Sequence, residues 1–234
     1  ELFGPEPRPG TNTTCRVRMR AVNAQDVRAD LEVIVGDRVW ARITGWEDRR
    51  FDSDDPVWAI FMYPERHALA EPRGAYHRVV EHWKGAASRE LMMRRYLGEP
   101  ERAAHEALGP RRRRAWLLGR TAVKDAVRAH AWATDPDAPI FPVEVTVAND
   151  ADGRPILTGR FAGLRVAIAH KDDVAVARVT DAAHRPGIDI ERIEPRTDTF
   201  ATTAFRPAEI ALGGDRPRDA WLTTLWAAKE ALAK

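Results

Sequence analysis

The sequence predicts an α+β fold in which an antiparallel β-meander precedes a domain of mixed helices and short strands. Two patterns lead to this prediction. Apolar and charged residues alternate with a period of two through the first sixty residues, as in half-buried strands. From Arg111 onward, apolar residues recur at the helical spacing of four, and several short apolar runs follow. A change of period along one chain is typical of α+β domains.

The amino-terminal region is predicted to be a small antiparallel sheet. Residues 15–21, 27–35 and 38–44 each alternate apolar and polar side chains. The Gly36-Asp37 pair predicts a short turn between the second and third strands. A further apolar run, residues 57–63, is predicted to close the region as a strand.

Residues 64–110 are rich in Pro and Gly, and we interpret them as a linker and lead-in with one helix at about 87–97. A helix is predicted from Arg111 to about Trp132. Its buried face is formed by residues at spacing four, namely Leu118, Ala122 and Ala126. Strands are predicted at 143–147, 164–170, 174–179 and 187–191. A final helix is predicted at 218–234, and its expected buried residues are Trp221, Leu222, Leu225 and Trp226.

The composition excludes several protein classes. With 44% hydrophobic and 31% charged residues, the chain resembles a folded protein. No apolar run approaches the roughly 18 residues needed to span a bilayer, so no membrane partner is expected. The net charge of +2 is too small for a general nucleic-acid binder. The single cysteine, Cys15, excludes an internal disulfide or a multi-cysteine zinc site.

The first residues show neither an initiator Met nor a signal peptide. We therefore expect a cytoplasmic protein and a piece of a longer chain.

Two carboxylates two residues apart form the first candidate site. In a strand, Asp189 and Glu191 would leave the same face while Ile188 and Ile190 enter the core. Parallel carboxylates repel each other unless a cation lies between them. A hard cation such as Mg²⁺ prefers oxygen ligands of this kind. The alternative is an exposed strand edge kept soluble by its acids.

The carboxyl-terminal helix carries the second candidate. Trp226, Glu230 and Lys234 are spaced by four, so they share one helical face. That face would align an aromatic anchor, a carboxylate and an ammonium group. The alternative is an ordinary Glu–Lys surface pair.

Three weaker candidates are basic. His170 ends an apolar strand, Arg154 lies in a Gly-Arg-Pro turn, and Gly119-Arg120 follows the run Arg111-Arg112-Arg113-Arg114. Arg binds phosphate and carboxylate through a planar fork, which makes a local anion site plausible. A solvated helix start explains the arginine run equally well.

The order of these motifs resembles the Sfp-type 4′-phosphopantetheinyl transferases over about residues 111–234. The resemblance implies a pseudo-twofold fold of two similar α+β halves with coenzyme A in the cleft between them. It also implies transfer of 4′-phosphopantetheine from coenzyme A to a serine of an acyl carrier protein, with release of 3′,5′-ADP. We expect the domain to continue beyond Lys234, because the family's second half has further strands after this helix.

The resemblance also assigns roles. Mg²⁺, or Mn²⁺, would be held by Asp189, Glu191 and Glu230. Glu230 would act as the base toward the carrier serine, directly or through a metal-bound water, and Lys234 would stabilise the leaving phosphate. His170 would contact the 3′-phosphate of coenzyme A. Other implied contacts with the coenzyme are Arg113, Arg114, Arg120, Arg154 and Lys229.

The amino-terminal meander has its own resemblance. Residues 39–51 look like the closing strands of a polyketide-synthase dehydratase, which has a double hot-dog fold. The implied domains are a dehydratase tail at 1–63, a linker at 64–110 and a transferase at 111–234. Together they resemble the end of an enediyne-type iterative type I polyketide synthase, an enzyme of antibiotic biosynthesis. The other synthase domains would then be partners.

Two alternatives remain open at this point. The first is a non-catalytic docking or structural module of a synthase. The second is a hot-dog dehydratase or thioesterase fragment, although no His or Asp here matches the dehydratase catalytic motifs.

Overall fold

The computed structural model describes residues 1–23, 26–49, 55–83 and 85–234. It divides the chain into two compact units, Glu1–Asp52 and Ser53–Lys234. This division differs from the predicted domain boundary after residue 63. The last two residues of the dehydratase-like segment, Arg50 and Phe51, lie outside the described residues.

The first unit contains a three-stranded antiparallel meander, as predicted. Its strands are β1 (Thr13–Val22), β2 (Asp26–Val35) and β3 (Arg38–Arg49), with β2 in the centre. Gly36 adopts a φ of +62° in the turn between β2 and β3, a conformation that glycine reaches without strain. The register places apolar side chains opposite one another on one face, for example Val17 opposite Leu31. A meander alone does not identify a hot-dog domain, so that assignment stays a prediction.

The second unit begins with a helix where a strand was predicted. Helix α1 spans Asp55–Met62, so the strand prediction for residues 57–63 was wrong. Val57 and Ile60 are three residues apart and both are buried, which is the helical rather than the strand period. Pro56, in the first helical turn, has the φ angle that a helix start requires. A short apolar run cannot by itself distinguish the two structures.

The predicted linker contributes secondary structure and core. It contains β4 (Glu71–Arg73), β5 (Tyr76–Val80), α2 (Ala86–Tyr96) and α3 (Glu99–Ala107). Helix α2 confirms the helix predicted at about 87–97. This segment supplies buried core side chains, among them Val79, Trp83, Met92, Tyr96 and Leu97.

Helix α4 (Pro110–Trp132) is the central helix of this unit and packs on a six-stranded antiparallel sheet. The remaining strands are β6 (Thr146–Asn149), β7 (Pro155–Thr158), β8 (Leu164–Lys171) and β9 (Val174–Asp181). The sheet order is β4-β5-β9-β8-β7-β6. The predicted buried face of α4 is confirmed, since Leu118, Ala122 and Ala126 are fully buried.

Three helices end the chain: α5 (Asp198–Ala204), α6 (Pro207–Ala211) and α7 (Arg218–Ala233). Helix α7 confirms the predicted final helix, with Leu222 fully buried. The stretch 185–234, which is described throughout, contains no strand. The strand predicted at 187–191 was therefore wrong, and the pseudo-twofold repeat stays a prediction. The described helices include none that is both long and apolar enough to cross a membrane.

Packing explains why residues 187–191 form no strand. Strand β9, which precedes this segment, already pairs with β5 along one edge and with β8 along the other. Ile188 instead packs on the face of the sheet, against Ala167, Ala169 and Val176. The segment lies across the sheet face rather than along an edge, so its backbone has no strand to pair with.

Candidate active site

The segment carrying the two predicted carboxylates is fixed by close packing on both sides. Ile188 is buried on the sheet and Ile190 packs beside it. A Cβ atom at Gly187 would lie 2.1 Å from the carbonyl oxygen of Ala231, so only glycine allows the segment to approach the last turn of α7 this closely. Asp189 and Glu191 alternate with Ile188, which is buried, and Ile190, which is partly buried. The predicted division between core and carboxylate positions is thus present without a strand.

Asp189 is nearly buried, and among the described residues only one of its two carboxylate oxygens has a hydrogen-bond partner. Its side chain is 8% exposed, and its Oδ1 accepts a hydrogen bond of 2.6 Å from Nζ of Lys234. Its Oδ2 is buried and has no hydrogen-bond partner in the described part of the chain. A buried carboxylate oxygen without a partner is costly, and a cation is the natural group to satisfy it.

Glu191 lies between two cations. Nζ of Lys171 donates to its Oε2 at 2.7 Å, and Nη2 of Arg196 lies 4.0 Å from the same oxygen. The hydrogen bond to Glu191 raises the pKa of Lys171 above its ordinary value. The backbone amide of Arg196 donates to Asp219 and its Nε to Thr223, both on α7. Arg196 therefore ties the carboxylate segment to the helix that carries Glu230 and Lys234.

A cleft of about 980 Å³ opens beside these groups. It is lined by the turn at residues 150–155, by β8, by residues 185–187 and by the last turn of α7. Its basic residues are Arg154, Arg165, Arg178, Arg185 and Lys234. Its acidic residues are Asp150 and Asp152. Several cations converging on one cleft favour a ligand with more than one negative charge.

The turn that presents Arg154 is closed by Asp150. Oδ1 of Asp150 accepts hydrogen bonds from the backbone amides of Asp152, at 3.0 Å, and Arg154, at 2.8 Å. Gly153 has a φ of +83°, which this tight turn requires. The carboxylate of Asp150 is thus used by the turn itself.

Arg120 supports this turn from inside the core. It is buried, stacks on Trp116, and donates from Nη2 to Oδ1 of Asn149 at 2.7 Å. Nδ2 of Asn149 in turn donates to the carbonyl of Gly153 at 2.8 Å. Burial lowers the pKa of Arg120. The geometry makes Arg120 a positioning residue for the turn, whereas the family resemblance implied a ligand contact.

Residues 185–234 match the family model of the 4′-phosphopantetheinyl transferase superfamily. The holo-[acyl-carrier-protein] synthase of Exiguobacterium sibiricum is 34% identical over 89 residues, which cover 38% of this chain and 69% of that protein. The holo-[acyl-carrier-protein] synthase of Geobacillus sp. is 33% identical over 92 residues, which cover 38% of this chain and 76% of that protein. The chain belongs to the 4′-phosphopantetheinyl transferase superfamily.

A solved holo-(acyl-carrier-protein) synthase from Bacillus anthracis, in complex with CoA (3′,5′-ADP), is 24% identical. The likeness covers 45% of this chain and 90% of that one, with a TM-score of 0.36. Family membership confirms the prediction of an enzyme. The polyketide-synthase context and the individual site residues stay predictions.

Three other residues were predicted to bind coenzyme A in this phosphopantetheinyl transferase: Arg113, Arg114 and Lys229. Each of them contacts protein groups that do not line the cleft. Arg113 donates to the carbonyls of Leu108 and Glu106, and Arg114 pairs with Glu81. Lys229 donates to Glu209 at 2.9 Å and to the carbonyl of Ala204.

His170 follows the side-chain alternation of β8. Val166 and Ile168, on the same face as His170, pack toward α4, whereas Ala167 and Ala169 face Ile188. Consistently, a Cβ atom at Gly119 of α4 would lie 3.9 Å from Cδ2 of His170. His170 is exposed, but on the opposite face of the sheet from Ile188.

The donor set is compatible with a divalent cation. Among the described residues, no three His, Cys, Asp or Glu side chains are grouped closely enough to form a metal site, so Glu230 does not join Asp189 and Glu191 here. Mg²⁺, however, typically uses one or two carboxylates and completes its shell with waters and substrate phosphates. The unpartnered Oδ2 of Asp189 provides the strongest single indication of such an ion.

Four functional candidates were missed by the sequence reasoning: Lys171, Arg196, Arg165 and Arg178. The first follows His170 directly, and strand alternation would have placed it on the carboxylate face. Arg165 and Arg178 could have been found in the same way, because each is a charged residue on an otherwise small, apolar strand face. Arg196 carries no motif signal.

Proposed function

We propose that this enzyme transfers 4′-phosphopantetheine from coenzyme A to a serine of an acyl carrier protein and releases 3′,5′-ADP. One observation supports this most directly. Lys234 lines the basic cleft and also binds Asp189, so the anion-binding surface and the carboxylate pair meet at one ammonium group. Cations for phosphates beside carboxylates for a metal are what phosphoryl transfer requires.

The serine hydroxyl would attack the phosphorus attached to pantetheine, and the bond from that phosphorus to the bridging oxygen of 3′,5′-ADP would break. Lys234 would stabilise the negative charge that develops on the leaving phosphate. Glu230, one turn earlier on the same helix, would accept the serine proton. Arg154, held by its closed turn, would bind a phosphate at the other side of the cleft.

A bound Mg²⁺ or Mn²⁺ would neutralise charge on the pyrophosphate. Asp189 and Glu191 would hold it, with Glu230 as the third carboxylate that the family resemblance implies. Lys171 and Arg196 keep Glu191 at its place beside Asp189. These two cations partly neutralise Glu191, and Lys234 does the same for Asp189, which reduces the repulsion between the two carboxylates.

The wider context belongs to the same proposal. The amino-terminal unit would be the end of a dehydratase domain, and the whole chain would come from a cytoplasmic, enediyne-type iterative polyketide synthase. The amino-terminal unit, Glu1–Asp52, is compact by itself, which supports a domain boundary near residue 52. The carrier domain of the same synthase would be the natural acceptor.

The proposal is tested by carrier modification. The protein is incubated with coenzyme A, Mg²⁺ and a panel of apo carrier proteins, and the phosphopantetheine adduct is measured by mass spectrometry. Asp189→Ala should lower the rate by about 100-fold or more, because loss of a metal ligand removes several kcal/mol of charge stabilisation. The melting temperature should change little, because the substitution loses one ion pair with the partly exposed Lys234 but also removes a buried carboxylate oxygen that has no hydrogen-bond partner.

Asp198→Ala is the matched control, because Asp198 is an exposed aspartate paired with Arg218 outside the cleft. It should leave the rate unchanged. Full Mg²⁺-dependent transfer by Asp189→Ala would contradict the metal assignment. Absence of any adduct with the unaltered protein across the panel would favour the docking-module alternative.

A further inference from the structure

The two carboxylates of the candidate site are already paired with flexible lysines. Nζ of Lys171 donates to Glu191 at 2.7 Å, and Nζ of Lys234 donates to Asp189 at 2.6 Å. The lysine side chains are 39% and 37% exposed, whereas those of Glu191 and Asp189 are 15% and 8% exposed. Each ammonium group therefore reaches from solvent to a mostly buried carboxylate, and it can return to solvent without disturbing the core.

Arg196, the third cation at these carboxylates, is held more firmly. Its side chain is only 14% exposed, and its guanidinium group stacks on Phe200. Nη1 of Arg196 also lies 3.3 Å from a carboxylate oxygen of Glu194. Because these contacts do not depend on the lysines, Arg196 can keep Glu191 in position after Lys171 has moved away.

The charges of this cluster are balanced before any divalent cation binds. The cluster consists of three acids and the three bases paired with them, namely Asp189, Glu191 and Glu194 with Lys171, Lys234 and Arg196. A divalent cation that enters a neutral cluster gains little net attraction and is repelled by each ammonium group close to it. The unpartnered Oδ2 of Asp189 still attracts a cation. Firm binding of a divalent cation therefore requires that an ammonium group withdraws.

We propose that Lys171 is an exchangeable counterion of Glu191, which pairs with the carboxylate in the metal-free protein and leaves it when a divalent cation binds. This inference rests on the proposed function, in which Asp189 and Glu191 hold Mg²⁺ or Mn²⁺. Lys171 lowers the affinity of the site for the metal, and in return it keeps the mostly buried Glu191 paired while the metal is absent. Lysine suits this role because its ammonium group is a compact, strongly hydrated charge on a flexible stem.

The experiment measures the affinity for Mn²⁺ alone, without coenzyme A or a carrier protein, from the electron paramagnetic resonance signal of free Mn²⁺. Removal of a competing counterion strengthens metal binding, whereas removal of a residue that only positions Glu191 weakens it. Lys171→Met should therefore bind Mn²⁺ about fivefold more tightly than the unaltered protein, which corresponds to the upper range for a partly exposed ion pair. Lys171→Arg keeps the charge and can still pair with Glu191, so it should bind Mn²⁺ no more tightly than the unaltered protein.

Arg192→Met is the matched control. Arg192 pairs with Asp172 at 2.7 Å, and these two residues directly follow Glu191 and Lys171 in the sequence. The variant therefore removes one positive charge between the same two segments but leaves the ion pair at Glu191 intact. Its affinity for Mn²⁺ should stay within about twofold of that of the unaltered protein, because salt screens an exposed charge that does not contact the site. If Lys171→Met fails to fold, Lys171→Gln answers the same question.

Unchanged or weaker Mn²⁺ binding by the variant without Lys171 would overturn the inference, and so would equal tightening by Arg192→Met. Asp189→Ala keeps this inference and the proposed function apart. Mn²⁺ binding that is lost in Asp189→Ala but does not respond to Lys171 would leave the metal assignment standing without the exchange. Mn²⁺ binding that Asp189→Ala retains in full, or that is absent from both the unaltered protein and Lys171→Met, would overturn the metal assignment and this inference together. Carrier modification, measured separately, would then decide on the transferase activity.

Discussion

Helices α4 and α7 both carry charged residues at helical spacing, but they use them differently. In α4, the side chains of Lys124, Asp125 and Arg128 are completely buried. In α7, Glu230 is half-buried and Lys234 is exposed at the cleft. The comparison shows that charged residues at helical spacing can be fully buried in one helix and reach a cleft in another, so the spacing alone does not distinguish a structural role from a candidate functional one.

The buried charges of α4 bind segments of the chain that are distant in sequence. Asp125 accepts hydrogen bonds from the backbone amides of Leu69 and Ala70 and from the hydroxyl of Tyr96, at 2.8 to 3.1 Å. Arg128 pairs with Asp125 at 2.8 Å and donates to the carbonyls of Ile140 and His67. Burial raises the pKa of Asp125, and the neighbouring Arg128 opposes that shift. These contacts hold loops against α4 and stabilise the fold.

The largest expected effect is therefore on stability. Arg128→Met should lower the free energy of unfolding by about 3–5 kcal/mol, because it leaves Asp125 buried without its counterion. Chemical denaturation measures the change. Arg94→Met is the matched control, since Arg94 forms an exposed i,i+4 pair with Glu90 and should cost only about 0.5 kcal/mol or less. Similar losses in the two variants would remove the distinction between buried and exposed charge.

Periodicity explains which elements could be predicted. The strands β1 to β3, β8 and β9 and the helices α4 and α7 all have several repeats of one period, and all were predicted. Residues 57–63 have too few repeats to separate helix from strand. Residues 187–191 alternate as predicted, but alternation reports which side chains are buried and not whether the backbone pairs with another strand.

The positions of some candidate site residues could be predicted for the same reason, while their functional roles stay predictions. Asp189, Glu191 and Lys234 lie on short, rigid motifs whose side-chain directions follow from local geometry. The structural roles of Asp125 and Arg128 could not be predicted, because charged residues are ordinarily exposed and only tertiary contacts reveal the exception. His170 was assigned through resemblance, although strand alternation places it and Lys171 on opposite faces.

A second test of the comparison uses pH. Burial lowers the pKa of Lys124 to about 8, against 10.5 in its ordinary state, while Glu101 opposes the shift. Between about pH 8 and 10.5 the unfolded chain binds a proton at this lysine that the folded chain does not. The free energy of unfolding should therefore rise with pH in that window, and no slope from Lys124 is expected below it.

Lys124→Met should flatten this rise, as measured by denaturation at several pH values between 7 and 10. The chain has only five lysines, which keeps the alkaline titration simple. Lys171, whose pKa is raised by Glu191, stabilises the fold below pH 10.5 and contributes its opposite slope above that value. An identical rise in the variant and the unaltered protein would show that Lys124 keeps its proton when buried.

The smallest expected effect concerns the connection between the buried charges of α4 and the cleft. Asn149 links the buried Arg120 to the turn that presents Arg154, through hydrogen bonds of 2.7 and 2.8 Å. Asn149→Ala removes both bonds, and each contributes about 1 kcal/mol. The KM for coenzyme A should rise about tenfold with little change in kcat, because the turn would hold a phosphate remote from the reacting bond. Asn149→Asp keeps the acceptor for Arg120 but loses the donor to Gly153, so it should recover only part of the affinity. A fall in kcat with unchanged KM would instead place this turn at the reacting phosphate. The buried Arg120 would then support the reacting groups themselves, and the distinction between structural charges in the core and functional charges in the cleft would not hold for this residue.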